Sequence, residues 1–152
     1  MQGHFNVLNL ENCQLKTLSL KNYNKLKVLS CSYNYLKMLD VSKNPKLEKL
    51  VCNNNQLTKI IFAKNYSLTY LSCYKNQLKQ LPISNFTKLE VLACSHNPIS
   101  ELNLSKNKNL SQLECAYTKL KVLDVSANTK LKMLWCGKSV KLKGWSKSIN
   151  GG

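Results

Sequence analysis

Apolar positions along the chain fall into the frame Leu-x-x-Leu-x-Cys. The frame opens at Leu26, Leu47, Leu68, Leu89, Leu110 and Leu131 and returns every 21 residues. It places Cys31, Cys52, Cys73, Cys94, Cys115 and Cys136 in one column. Within it the fourth and sixth positions point the same way at strand spacing and the fifth points out, so each unit predicts a short β-strand. A second apolar group follows in the same unit, as in Leu36-x-x-Leu39-Asp40-Val41 and Leu120-x-x-Leu123-Asp124-Val125, and predicts a second strand-like side with little helix. A coil of this length cannot bury both sides alone. It needs neighbours stacked at about 4.8 Å, the separation of hydrogen-bonded strands, and repetition of this kind is the signature of a solenoid.

Polar residues keep the same register. Asn34, Asn55, Asn76 and Asn97 follow the cysteine strand at a fixed offset. An asparagine amide both donates and accepts, so these residues are expected to turn inward and serve backbone groups between coils as a ladder. Traced backwards, the frame continues through Phe5, Leu8 and Leu10. Cys13 then falls on the asparagine position, which explains the 18-residue gap between Cys13 and Cys31.

The stretch Leu68-x-x-Leu71-x-Cys73-x-x-Asn76-x-Leu78 and its counterparts resemble the leucine-rich repeat. The second halves Leu36-x-x-Leu39-Asp40-Val41-Ser42-x-Asn44 and Leu120-x-x-Leu123-Asp124-Val125-Ser126-x-Asn128 narrow the resemblance to the bacterial 21-residue class with a nested period, called IRREKO. The resemblance implies a leucine-rich repeat solenoid, a horseshoe or flat right-handed coil, with one parallel β-strand per repeat and mostly β and loop opposite. It implies a non-enzymatic protein-binding module. Residues 1–136 are read as the solenoid and 137–152 as an aperiodic C-terminal cap or tail, in which Lys138, Lys141, Lys143, Lys147, Trp145 and Ile149 either fold over the last coil or hang free. No enzymatic domain is expected within these 152 residues. The N-terminal coil is expected to be uncapped, which suggests end-to-end self-association or membership of a longer array.

Several units depart from the frame. Ile61 stands at a position expected to face solvent, Thr118 replaces the ladder asparagine, and Leu81-Pro82-Ile83-Ser84-Asn85-Phe86 puts proline where Asp40 and Asp124 sit and phenylalanine where asparagine is expected. Proline lacks the ladder donor, so strand pairing should break or bulge at Pro82.

Seven cysteines raise the question of disulfides, but the count is odd and six hold a core column whose neighbours stand farther apart than disulfide geometry favours. Reduced thiols packed as small hydrophobes are expected, and with them a reducing, cytoplasmic location; no classical signal peptide precedes the repeat, though specialised secretion is compatible with that. No apolar run is long enough for a membrane span. Metal spacing such as C-x-x-C with histidines is missing, and no cofactor is expected. A Cys94–His96 dyad is disfavoured because the frame puts Cys94 in the core and points His96 outward, beyond the bend after the strand.

The net charge of +16 comes from 23 basic residues, all lysine, against seven acids. Such a field attracts polyanions, but without arginine it lacks the planar fork used for bidentate reading of bases and phosphates. Lys16, Lys37, Lys79 and Lys121 line the solvent side of the second segment, where repulsion also discourages edge-to-edge aggregation. The outward side of the cysteine strands differs, carrying Tyr33, Tyr35, Tyr70, Tyr74, His96, Tyr117 and Trp135. Rings with a polar tip are enriched at interfaces, so this face is the expected site for a protein partner, with Tyr70, Tyr74, His96 and Tyr117 near its middle and the lysines steering acidic surfaces toward it. The alternatives are tyrosines that merely cover lysine stems on a β surface, a nucleic-acid or acidic-glycan binder driven by lysine, and a truncated array without a selected partner.

Overall fold

The computed structural model describes residues 5–62 and 67–146. Asn65, Lys147, Ile149 and His4 lie outside them. The described residues form a parallel β-solenoid of about six turns without helix. The main sheet comprises β1 (Val7–Asn9), β2 (Val28–Ser30), β4 (Lys49–Val51), β6 (Tyr70–Ser72), β7 (Val91–Ala93), β8 (Gln112–Cys115) and β10 (Met133–Cys136), in that spatial order. Its register follows the repeat. Leu8, Leu29, Leu50, Leu71, Leu92, Leu113 and Leu134 are successive cross-strand partners.

The opposite side is discontinuous. There β3 (Met38–Val41) pairs with β5 (Lys59–Phe62), and β9 (Val122–Asp124) with β11 (Lys141–Lys143). The corresponding segments of the two intervening coils, around Pro82 and around Asn103, form no strand. Pro82 accounts for the first loss because it has no N–H to give. Pro98 contributes to the second: Gln56, Gln77 and Lys119 in other coils each donate to the preceding coil at this position, and Pro98 has no N–H with which to do so. Ile61 is half-buried in β5 rather than exposed, and Phe86 is buried in the core with its ring 4.9 Å from that of Phe62 in an edge-on contact.

The core consists of leucine columns and the cysteine column, with Cys31, Cys52, Cys73, Cys94 and Cys115 fully buried and Cys136 nearly so. All seven cysteines are unpaired, and only Cys13 is exposed. Burial raises the Cys73 thiol to about 12, and burial together with Glu11 does the same for Cys31. Cys52, Cys94, Cys115 and Cys136 shift in the same direction, chiefly from burial. A thiolate in this column would lose its hydration without gaining a counterion, so the column is chemically quiet near neutrality.

Asparagines join the coils. The Asn76 amide donates to the Cys52 carbonyl of the preceding coil at 3.0 Å and accepts from the Leu57 N–H at 3.0 Å. Asn97 repeats this with Cys73 and Leu78, Asn55 with Cys31 and Leu36, and Asn34 with Leu10 and Leu15. Thr118 reaches only the carbonyl of Cys115 in its own coil, at 2.9 Å. A second column lies on the other side: Asn44 donates to Leu20 and Tyr23, Asn107 to Ile83 and Phe86, and Asn128 to Leu104 and Asn107.

At the C-terminal end β11 continues the second side with a changed register. Lys141 pairs with Val122, 19 residues back rather than 21. Val140 is buried, and Leu142 and Trp145 pack on the core. Gly144 closes this turn with φ +75°, and a Cβ there would stand 2.4 Å from Ser126 Cα, so only glycine fits. At the other end Phe5 and Val7 are exposed.

Candidate functional site

The outward face of the main sheet is built from parallel columns. Residues opposite one another on successive strands read Ser30, Val51, Ser72, Ala93, Glu114 and Trp135. Small side chains at Ser72 and Ala93 give way to two large ones at Glu114 and Trp135, which raises a wall at one end of a flat floor. Beyond the strands the next column reads Ser32, Asn53, Tyr74, Ser95 and Ala116. Its side chains bind the next coil: Ser32 Oγ accepts from the Asn53 N–H, Asn53 Oδ1 from the Tyr74 N–H, and Ser95 Oγ from the Ala116 N–H at 3.0 Å.

One position further along, the chain turns through a left-handed residue in every coil from the first to the sixth. Asn12, Tyr33, Asn54, Lys75, His96 and Tyr117 have φ between 51° and 56°. In the four coils from the second to the fifth this turn sends the following asparagine inward. The backbone remains in the ladder, with the His96 N–H donating to the Ala116 carbonyl and the Lys75 N–H to that of Ser95, both at 3.0 Å. Left-handed backbone costs about 1–2 kcal/mol for a residue with a Cβ, and asparagine tolerates it best.

These columns bring together four of the seven aromatic positions expected to form a face. The rings of Tyr74 and His96 meet edge-on at 5.0 Å, and those of His96 and Tyr117 stack at 4.2 Å with 25° between planes. With Trp135 and Glu114 they wall a shallow depression of about 330 Å³ floored by Ser95 and Ala116. Gln112 donates to Glu114 Oε1 at 2.7 Å and holds that carboxylate in place. Tyr117 is 70% exposed and Trp135 45%, so the rings are free to be covered.

The other three stand elsewhere. Tyr70 sits at the opposite end of its strand under Lys49, whose Nζ lies 4.7 Å from the ring centroid. Tyr35 faces the second side with Lys16, Lys37 and Gln56. Tyr33 shares the left-handed column with His96 and Tyr117, but Asn54 and Lys75 separate it from them. Periodicity identified the outward positions but could not show which end of a strand each ring occupies.

Two columns of lysines lie elsewhere on the solenoid. Lys16, Lys37, Lys79 and Lys121 are exposed in one column, and Lys25, Lys46, Lys88 and Lys130 in another at the corner before each strand. Cys94 is buried in the core while His96 stacks outside, and among the described residues no group of histidine, cysteine and carboxylate side chains is placed to hold a metal. A groove of about 610 Å³ opens on the second side between residues 100–105 and 119–127, where strand pairing is lost. No described helix is long and apolar enough to cross a membrane.

The chain matches no protein-family model and no curated protein. Solved structures do match. A leucine-rich repeat protein of Leptospira interrogans is 31% identical, with a TM-score of 0.79 over 90% of this chain. The fold is a leucine-rich repeat solenoid. The functional domain of InlJ from Listeria monocytogenes, described as including a cysteine ladder, is 33% identical with a TM-score of 0.76 over 86% of this chain. An internalin, InlF, from the same species is 25% identical with a TM-score of 0.65 over 85%. This solenoid spans only 38%, 28% and 46% of those three chains. Leucine-rich repeat solenoids present extended surfaces suited to protein interaction in general.

Proposed function

We propose that this leucine-rich repeat solenoid is a non-enzymatic module that binds a protein partner through the outward face of its main sheet, centred on Tyr74, His96, Tyr117 and Trp135. The observation that carries the reading is the convergence of four rings from four successive coils on a patch that no lysine lines among the described residues. Tyrosine and tryptophan supply large contact area with few rotatable bonds, and interface energy concentrates on such anchors. The lysine columns around the patch favour a partner that is acidic overall and raise its rate of encounter. The quiet, unpaired thiol column fits a reducing compartment. The second asparagine column, whose amides donate to carbonyls of the preceding coil as those of the first do, fits the nested 21-residue class.

The test is affinity capture from nuclease-treated lysate at moderate salt, comparing the native chain with a Tyr74→Ala, Tyr117→Ala, Trp135→Ala variant whose fold is verified by circular dichroism. A discrete protein retained by the native chain and lost by the variant is the expected result. A second reading rests on the lysine columns, which repeat in register with the coils as a regular cationic surface for a nucleic acid or acidic glycan. Under that reading captured material disappears with nuclease or salt and is indifferent to the ring substitutions.

A further inference from the structure

We infer that the depression walled by Tyr74, His96, Tyr117, Trp135 and Glu114 receives a single organic ammonium group, namely a lysine side chain of the protein partner, held most tightly when N-methylated. The inference deepens the proposed function and rests on its aromatic face. Ring faces carry negative potential and attract a cation within about 6 Å of the centroid, and the attraction grows as the pair is desolvated. Here the rings share one depression with a carboxylate, and Glu114 stands directly opposite Trp135 in the ladder of β8 and β10. Gln112 engages only Oε1 of Glu114, which leaves the second oxygen to a ligand. Among the described residues no lysine lines the depression.

The molecule offers an internal comparison. Tyr70 is also on the outward face, and the chain covers it with its own Lys49 at 4.7 Å. No cation of the chain lies over the rings of Tyr74, Tyr117 or Trp135 among the described residues. Lys75 and Lys138 fall in the same repeat column as His96 and Tyr117 but do not line the depression. The overall positive field does not forbid the site: exposed charges farther away than the Debye length of about 8 Å are largely screened at physiological salt, the nearer Lys75 and Lys138 are exposed and can turn their ammonium groups into water, and Glu114 acts at contact. Steering and anchoring therefore select different features of one partner: an acidic surface at long range and one basic side chain at short range.

The probes are tetramethylammonium and an uncharged analogue of similar shape, tert-butyl alcohol, each titrated into the full chain at pH 8 and followed by the ring resonances of Tyr74, His96, Tyr117 and Trp135. Lysine amide and trimethyllysine amide form a second pair. Saturable shifts with tetramethylammonium and not with the alcohol are expected. Trimethyllysine amide should bind more tightly than lysine amide. Glu114→Gln and Trp135→Ala should each weaken binding at least about threefold, the scale of one exposed cation–ring contact. Equal shifts from the alcohol, no saturable shift, or indifference to both substitutions would overturn the ammonium site. Each variant's melting curve shows whether it folds, and Glu114→Gln, which preserves size and hydrogen bonding, covers the case in which Trp135→Ala does not. The aromatic face as a partner surface is decided separately, by the capture experiment with the ring variant, so the two readings fail independently.

Discussion

The left-handed column is the most consequential residue-scale feature. It turns the chain after six of the seven strands of the main sheet, with tyrosine, lysine and histidine at four of the positions and asparagine at two. Each residue other than asparagine holds unfavourable backbone energy, supported by the hydrogen bonds of the next coil. Lys75→Asn should therefore raise stability by about 0.5–1 kcal/mol, measured by urea unfolding, since Asn12 and Asn54 already occupy equivalent turns. Thiol chemistry offers a second residue-scale test. With six thiols buried and Cys13 exposed, a thiol reagent under native conditions should label one cysteine quickly and the others only on unfolding. The cysteine column and the ladder at Asn34, Asn55, Asn76 and Asn97 were legible in the sequence because both recur at fixed offsets from leucine. The left-handed column was not, because asparagine occupies only two of its six positions and glycine none.

At the scale of elements, the main sheet was legible strand by strand, since alternation and period agree in every unit. The second sheet was legible where proline spoke: Pro82 announces a lost strand. The loss around Asn103 was harder to foresee, because Pro98 lies several residues before the affected segment. The cluster of four rings was half legible, as outward positions without their grouping. Thr118 marks the interface at which these defects accumulate. Between the coil of His96 and the coil of Tyr117 the ladder asparagine is missing, the second-side strands do not pair, and a groove of about 610 Å³ opens. Thr118→Asn should restore a donor to the Cys94 carbonyl and an acceptor for the Ile99 N–H, by analogy with Asn97 and Asn76. The expected gain is about 1 kcal/mol, with slower hydrogen exchange at Ile99 as the local readout.

For the whole molecule, charge and coil stacking act together. A net charge of +16 on 152 residues places exposed lysines in columns whose members repeat from coil to coil, including the adjacent pairs Lys16–Lys37 and Lys25–Lys46. Self-repulsion of this kind is screened by salt, so the melting temperature should rise as sodium chloride increases from low to physiological ionic strength. The ion pair between Lys27 and Glu48, at 2.9 Å and half-exposed, is too weak to reverse that trend. A melting temperature that falls with salt would show that favourable pairs outweigh the repulsion.

Because each coil touches only its neighbours, the solenoid is a column whose strength is that of its poorest joint. That joint lies under the stacked rings of His96 and Tyr117, which belong to the two coils on either side of it. Anything seated on those rings spans the joint. A partner bound there would act as a splint, stiffening the rod where it would otherwise bend or part under tension, so that occupancy at one small patch is felt along its whole length.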